Sequence, residues 1–255
     1  MFQEEYQMVA KAASTKVSLL KRNPMGYFLL SALAGMYIGF GILLIFSIGG
    51  MLSGLPFAKI IMGAAFGIAL SLVVIAGAEL FTGNNMVMIA GVMKKTVNVG
   101  DTIKLWVVCF IGNFAGSILL AILFRYAGLA EGAVGEFIAS TSAAKMSIPF
   151  IPLLLRGILC NTLVCLGVWC GMKCKSESGK LIMIFWCLFA FITTGFEHSI
   201  ANMTLLTISL LKPYDQAISL GGYFYNIFTV TLGNMIGGIL FVAIPYYVAS
   251  KNKEA

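Results

Sequence analysis

Gly77-Ala-Glu-Leu-Phe-Thr-Gly-Asn-Asn-Met86 and Gly195-Phe-Glu-His-Ser-Ile-Ala-Asn-Met203 are the two stretches on which the fold turns. Each sets polar and glycine residues inside an otherwise apolar run. Glu79 precedes Asn84 by the same five positions that separate Glu197 from Asn202. Matching polar breaks in two hydrophobic halves point to a transport site near the midplane of a bilayer. Irregular backbone is tolerated at that depth only where protein buries it or it lines a cavity. The pair of breaks predicts a pore.

The surrounding composition agrees. Of 255 residues, 60% are apolar and only 11% are charged, whereas a soluble domain carries about 25% charged residues. Such a chain cannot cover itself with polar surface, so an all-α polytopic membrane protein is expected. Apolar stretches run over 26–52, 58–78, 103–127, 148–172, 181–196 and 222–249. Most reach the ~20 residues that cross the hydrocarbon. Residues 86–93 and 198–211 continue two of them beyond the breaks, which gives six crossings with two broken at mid-membrane. With both termini cytoplasmic, twelve of the seventeen basic residues fall inside and four (Lys59, Arg125, Lys145, Lys212) outside, with Arg156 in the fourth crossing. That asymmetry satisfies the positive-inside rule. The net charge of +7 then reflects loops facing anionic lipid, and nucleic acid is not an expected partner.

Three parts are predicted along the chain. Residues 1–23 read as a cytoplasmic amphipathic helix, because Phe2, Tyr6, Val9, Ala13, Val17 and Leu20 recur at steps of three or four. Two roles fit it: an interfacial anchor, or a cover for the cytoplasmic pore mouth. Residues 24–250 form one pore domain, and 251–255 a short cytoplasmic tail. Within the pore domain, Gly112-Asn-Phe-Ala-Gly116 is echoed by Gly233-Asn-Met-Ile-Gly237. An odd number of crossings per half makes repeat two (148–250) enter opposite to repeat one (24–128), a 3+3 inverted repeat. The six cysteines lie in or beside apolar stretches and read as small buried hydrophobes. No metal cluster or cofactor loop is present in the pattern, so neither a metal nor a cofactor is expected.

His198 is the only histidine and sits in the second break, where an imidazole can exchange or donate a proton. Thr82 occupies the first break, and its hydroxyl can hand a ligand to His198 if both breaks face one passage. Glu79 and Glu197 are costly at this depth and need partners. They are expected as structural elements of the breaks, accepting from free helix-start N–H groups. Asn161 and Asn202 read either as helix-to-helix contacts or as pore donors. Lys145 is a loop lysine by default and otherwise an attractor of anions to the mouth.

Together these motifs, with Asn161-Thr-Leu-Val-Cys-Leu-Gly-Val-Trp169, resemble the formate/nitrite transporter family over nearly the whole chain. The resemblance implies an aquaporin-like protomer and a homopentamer in the bacterial cytoplasmic (inner) membrane, with one pore in each protomer. It implies passage of small monovalent anions, in the order nitrite, hydrosulfide, formate. It also implies that Thr82 and His198 are the central pore residues, that Leu70, Phe81 and Phe191 form apolar constrictions, and that Lys145, Asn161 and Asn202 belong to the pore lining. Two mechanisms stay open: proton transfer from His198 to the passing anion, or stabilisation of the anion by dipoles at the breaks. The alternative is an aquaporin-like channel for small neutral solutes, although neither break contains Asn-Pro-Ala. An enzyme is not expected, since no Ser/His/Asp arrangement is evident.

Overall fold

The computed structural model describes residues 2–251; the rest of the predicted tail, 252–255 with Lys253, lies outside the described residues. Six helical segments among them are long and apolar enough to cross a membrane: Pro24–Met51, Ala58–Gly77, Val99–Tyr126, Phe150–Lys173, Glu177–Thr194 and Leu220–Ser250. The chain begins with α1 (Gln3–Arg22), followed by α2 (Pro24–Met51). The second crossing is built from α3 (Ala58–Ala65), α4 (Gly67–Ser71) and a π-helical turn over Leu72–Gly77; after a break, α5 (Phe81–Met93) continues it. Next come α6 (Val99–Tyr126), α7 (Gly132–Met146) and α8 (Phe150–Lys173). The second broken crossing is α9 (Glu177–Thr194) with α10 (Ser199–Leu211). The last is α11 (Leu220–Gly238), a π-helical stretch Ile239–Ala243 and α12 (Ile244–Ser250).

The two halves are assembled alike. In the first, α2 packs along α6; in the second, α8 packs along α11. Both contacts depend on small residues that let backbones approach. A Cβ at Gly116 would collide with the carbonyl of Ala32, and one at Gly237 with that of Ile158. Lipid cannot drive such association by the hydrophobic effect, so close backbone packing has to supply it. Outward faces remain apolar: Leu29, Leu33, Phe40, Ile103, Val107, Ile111, Phe224 and Phe228 are exposed.

Helix α1 buries Tyr6, Val9, Ala10, Ala13, Val17 and Leu20 against α5 and its neighbours. Tyr6 donates to the Ala243 carbonyl at 3.1 Å, and Thr96 to that of Ala10 at 2.8 Å. It ends at Asn23, whose Oδ1 accepts the Gly26 N–H at 2.9 Å and caps α2, with Pro24 in the first helical turn. The face of the protein that carries α1 is called proximal below, and the opposite face distal. Helix α7, between the repeats, has no counterpart in the sequence reading. Its Ala, Ser and Gly residues carry no apolar stripe, so periodicity could not reveal it.

Candidate functional site

Both breaks are built to one plan. Gly77 (φ 81°) and Gly195 (φ 86°) end their helices in the left-handed region, which glycine enters without steric cost. The chain then runs extended to Leu80 and to His198, the residues just before α5 and α10. Extended segments at this depth need partners for their backbone groups. Asn113 supplies them at the first break: its Oδ1 accepts the Phe81 N–H at 2.9 Å, and its Nδ2 donates to the carbonyls of Ser31 and Glu79 at 2.7 and 2.8 Å. Asn234 does the same at the second, accepting from Ser199 at 2.9 Å and donating to Gly157 and Glu197 at 2.8 and 3.0 Å. The Glu79 and Glu197 N–H groups donate to the carbonyls of Leu30 and Arg156, each at 3.2 Å.

The two carboxylates do not cap the helix starts, as the sequence suggests; Asn113 and Asn234 take that role. Glu79 accepts from Lys16 of α1 at 2.6 Å, Tyr27 at 3.0 Å and Asn84 at 3.0 Å. Glu197 holds Lys145 with both oxygens at 2.7 Å and accepts from Asn202 at 2.7 Å. Asn202 also donates to Asn226, whose amide donates to the Lys145 carbonyl. A charge removed from water is tolerable only when so paired. Lys145 is therefore compensated and is not a free cation. Lys16, Tyr27, Asn226 and Asn234 were missed as partners, because nothing in sequence spacing joins residues 63 and 52 positions apart to Glu79.

Between the two frames, Thr82 Oγ1 and His198 Nε2 are 3.0 Å apart, and both residues are buried. His198 Nδ1 accepts the Ala201 N–H at 3.2 Å and so caps α10. With Nδ1 accepting, the neutral ring carries its proton on Nε2, which donates to Thr82. Phe191 stacks on the imidazole at 6.1 Å between ring centroids, and Phe66 meets Phe191 edge-on at 5.4 Å. Asn161 lies behind this pair: its Nδ2 donates to the Thr82 carbonyl at 3.1 Å and to that of Asn234 at 2.7 Å.

A cavity of about 670 Å³ opens on the distal side, lined among others by Phe191, Glu197, His198, Asn202 and Lys145. A second, of about 460 Å³, lies on the proximal side and is lined by Lys16, Leu70, Glu79, Leu80, Gly83 and Asn84. The expected constriction residues divide accordingly. Phe191 faces the distal cavity and Leu70 the proximal one. Phe81 faces neither: its ring packs on Phe110 at 5.1 Å and lines an outward apolar groove with Trp106 and Phe228. Neighbouring residues at a helix start point about 100° apart, so Leu80 takes the cavity position instead. Thr82 and Asn161 line neither cavity. Thr82 meets the distal space through His198, whereas Asn161 ties the Thr82 backbone to that of Asn234.

Comparison with known proteins agrees with this architecture. The family described as Formate/nitrite transporter matches residues 3–248. The chain belongs to that family. A nitrite transporter, NirC, of Salmonella typhimurium is 39% identical, covering 100% of this chain and 94% of that protein. A solved structure titled as an FNT family ion channel superposes with a TM-score of 0.93 at 38% identity, over 98% of this chain and 100% of that one. A pentameric formate channel with formate bound gives 0.81 at 27% identity, over 90% and 98%. These members of the formate/nitrite transporter family are transporters and channels, not enzymes, and the chain is a multi-pass membrane protein of this bacterial type.

Proposed function

We propose that this protein conducts a small monovalent anion, nitrite first and hydrosulfide or formate after it, through one pore in each protomer of a homopentamer. The observation that carries the proposal is the Thr82–His198 hydrogen bond between two cavities, walled by Phe191, Leu70 and Leu80. Among the similar proteins, NirC supports nitrite, and the formate channel supports formate and the pentamer. Basic residues concentrate on the proximal face, so the proximal cavity opens to the cytoplasm, with both termini on that side of the inner membrane.

The anion reading follows from where the helices begin. Helices α5 and α10 both start at the breaks, so two positive helix ends converge on the same depth. A bare anion among apolar rings is penalised by desolvation. Two helix N-termini, the Nε2–H of His198 and the Thr82 hydroxyl offset that cost without a permanent charge. Of the two open mechanisms, the geometry favours stabilisation by dipoles. His198 already accepts a backbone N–H at Nδ1, and a second ring proton there would break the cap on α10. A neutral-solute channel has no need of two converging positive helix ends.

The test is nitrite flux into proteoliposomes across pH, for the wild type, His198→Asn and Thr82→Val. Asn at 198 keeps an acceptor for the Ala201 N–H and a donor for the anion. It is expected to retain flux and the wild-type pH profile, while Thr82→Val slows flux about tenfold through loss of one donor worth about 1.4 kcal/mol. A pH dependence abolished in His198→Asn would favour proton transfer instead.

A further inference from the structure

Lys145, which lines the distal cavity, is electrostatically spent. Lys145 is clasped by both oxygens of Glu197, and the pair is neutral as a unit. Two other cations line the same cavity, Lys59 and Arg156, and among the described residues Glu197 is the only acidic one in its lining. Both are exposed, and among the described residues neither has an ion-pair partner. Their arrival at the mouth is built in. Lys59 starts the second crossing and reaches the second break, where a Cβ at Gly195 would lie 2.9 Å from its ammonium. Glycine at 195 thus serves the turn and leaves room for Lys59 beside the carbonyl end of α9, where a cation is favoured. Arg156 is held at the same level by its carbonyl, which accepts the Glu197 N–H.

We propose that Lys59 and Arg156, and not Lys145, form the anion-capturing subsite of the distal mouth. The proposal deepens the reading above and rests on it: the ligand is the same small monovalent anion, met one step before the Thr82–His198 pair. Lys145 serves to hold the break by neutralising Glu197. The proximal cavity repeats the arrangement in weaker form, with Lys16 spent on Glu79 and Lys180 without an ion-pair partner among the described residues. Two unit charges acting through water on an ion about 10 Å away raise its local concentration by about fourfold. Salt removes that gain as the screening length contracts.

The experiment is saturation of nitrite flux in proteoliposomes of the full-length protein, at about 10 mM and about 150 mM ionic strength. In the Lys59→Gln/Arg156→Gln double variant the half-saturating nitrite concentration is expected to rise about fourfold at low salt, and much less at high salt. Saturating flux stays at the wild-type level. Lys59→Arg keeps the wild-type value. Lys59→Cys regains it with a cationic methanethiosulfonate reagent and loses more with an anionic one, the wild type treated in parallel. Half-saturation unchanged at low salt in the double variant overturns the subsite and leaves the two residues as headgroup contacts. Loss of saturating flux in the double variant also overturns it, by making the pair structural. A wild type that passes no nitrite, hydrosulfide or formate overturns the anion reading itself, and the subsite with it.

Discussion

At the first break a leucine stands where the second has the histidine. Advancing Glu79 onto Glu197 brings Leu80 onto His198, Phe81 onto Ser199 and Asn84 onto Asn202. Leu80 lines the proximal cavity and His198 the distal one, so equivalent positions face the passage from opposite sides. The surrounding frame is shared to the individual hydrogen bond, through Asn113 in one half and Asn234 in the other. The difference is instructive. Backbone groups left bare in lipid cost several kcal/mol each, so the frame has to be complete in both halves. The residue lining the cavity carries no such obligation, and only one half provides an imidazole. The lysines differ too: Lys16 comes from α1, outside the repeats, and Lys145 from α7, between them.

The largest effect is expected from breaking the shared frame. Asn113→Ala or Asn234→Ala strands the N–H of Phe81 or of Ser199, at a cost of about 1–3 kcal/mol, and takes one donor from each of two carbonyls. Both variants should fail to yield folded protein or lose many degrees of Tm in detergent, and by similar amounts. A harmless loss at one break only would show that the two frames are not energetically equivalent. Next come the ion pairs. Lys145→Met leaves Glu197, 4% exposed at its side chain, unpaired, at a cost of about 3 kcal/mol. Lys16→Met should cost less, since Glu79 is 10% exposed and keeps Tyr27 and Asn84. Thermal scans of the singles and of Lys145→Met/Glu197→Gln, which should recover much of the loss, measure both.

A smaller change makes the second break resemble the first. His198→Leu removes the cap on α10, worth about 1 kcal/mol, and the donor to Thr82. His198→Asn should retain most of the cap, so their Tm difference isolates it. The smallest effect lies on the distal surface, where Lys212, Tyr214 and Arg125 surround Glu131. The hydrogen bond from Lys212, then that from Tyr214, holds the Glu131 carboxyl below the usual carboxylate range. A lowered folded pKa stabilises above the ordinary carboxylate range, and that contribution fades as pH falls through the lowered value. Tm of Glu131→Gln should sit slightly under the wild type near neutrality and meet it in strong acid.

The crossings, both breaks and the inversion are legible because each leaves a local mark: an apolar run, a glycine with an acid two residues on, or a repeated Gly-Asn-x-x-Gly. Thr82 and His198 are legible as rare polar residues at those marks. Phe81 misled because the family pattern names the neighbourhood, while a shift of one position at a helix start decides which ring meets the passage. Helix α7 left no mark, and Lys59 looked like any loop lysine.

What the sequence alone determines here is the number of crossings and which two are broken, because hydropathy acts on each segment separately against lipid and water. What only the tertiary structure decides is pairing: Lys16 with Glu79, Lys145 with Glu197, Thr82 with His198, and, among the described residues, no carboxylate for Lys59 or Arg156. Those pairings join residues far apart in the chain, and the choice among lysines depends on which ammonium packing brings to a carboxylate that cannot stay charged alone.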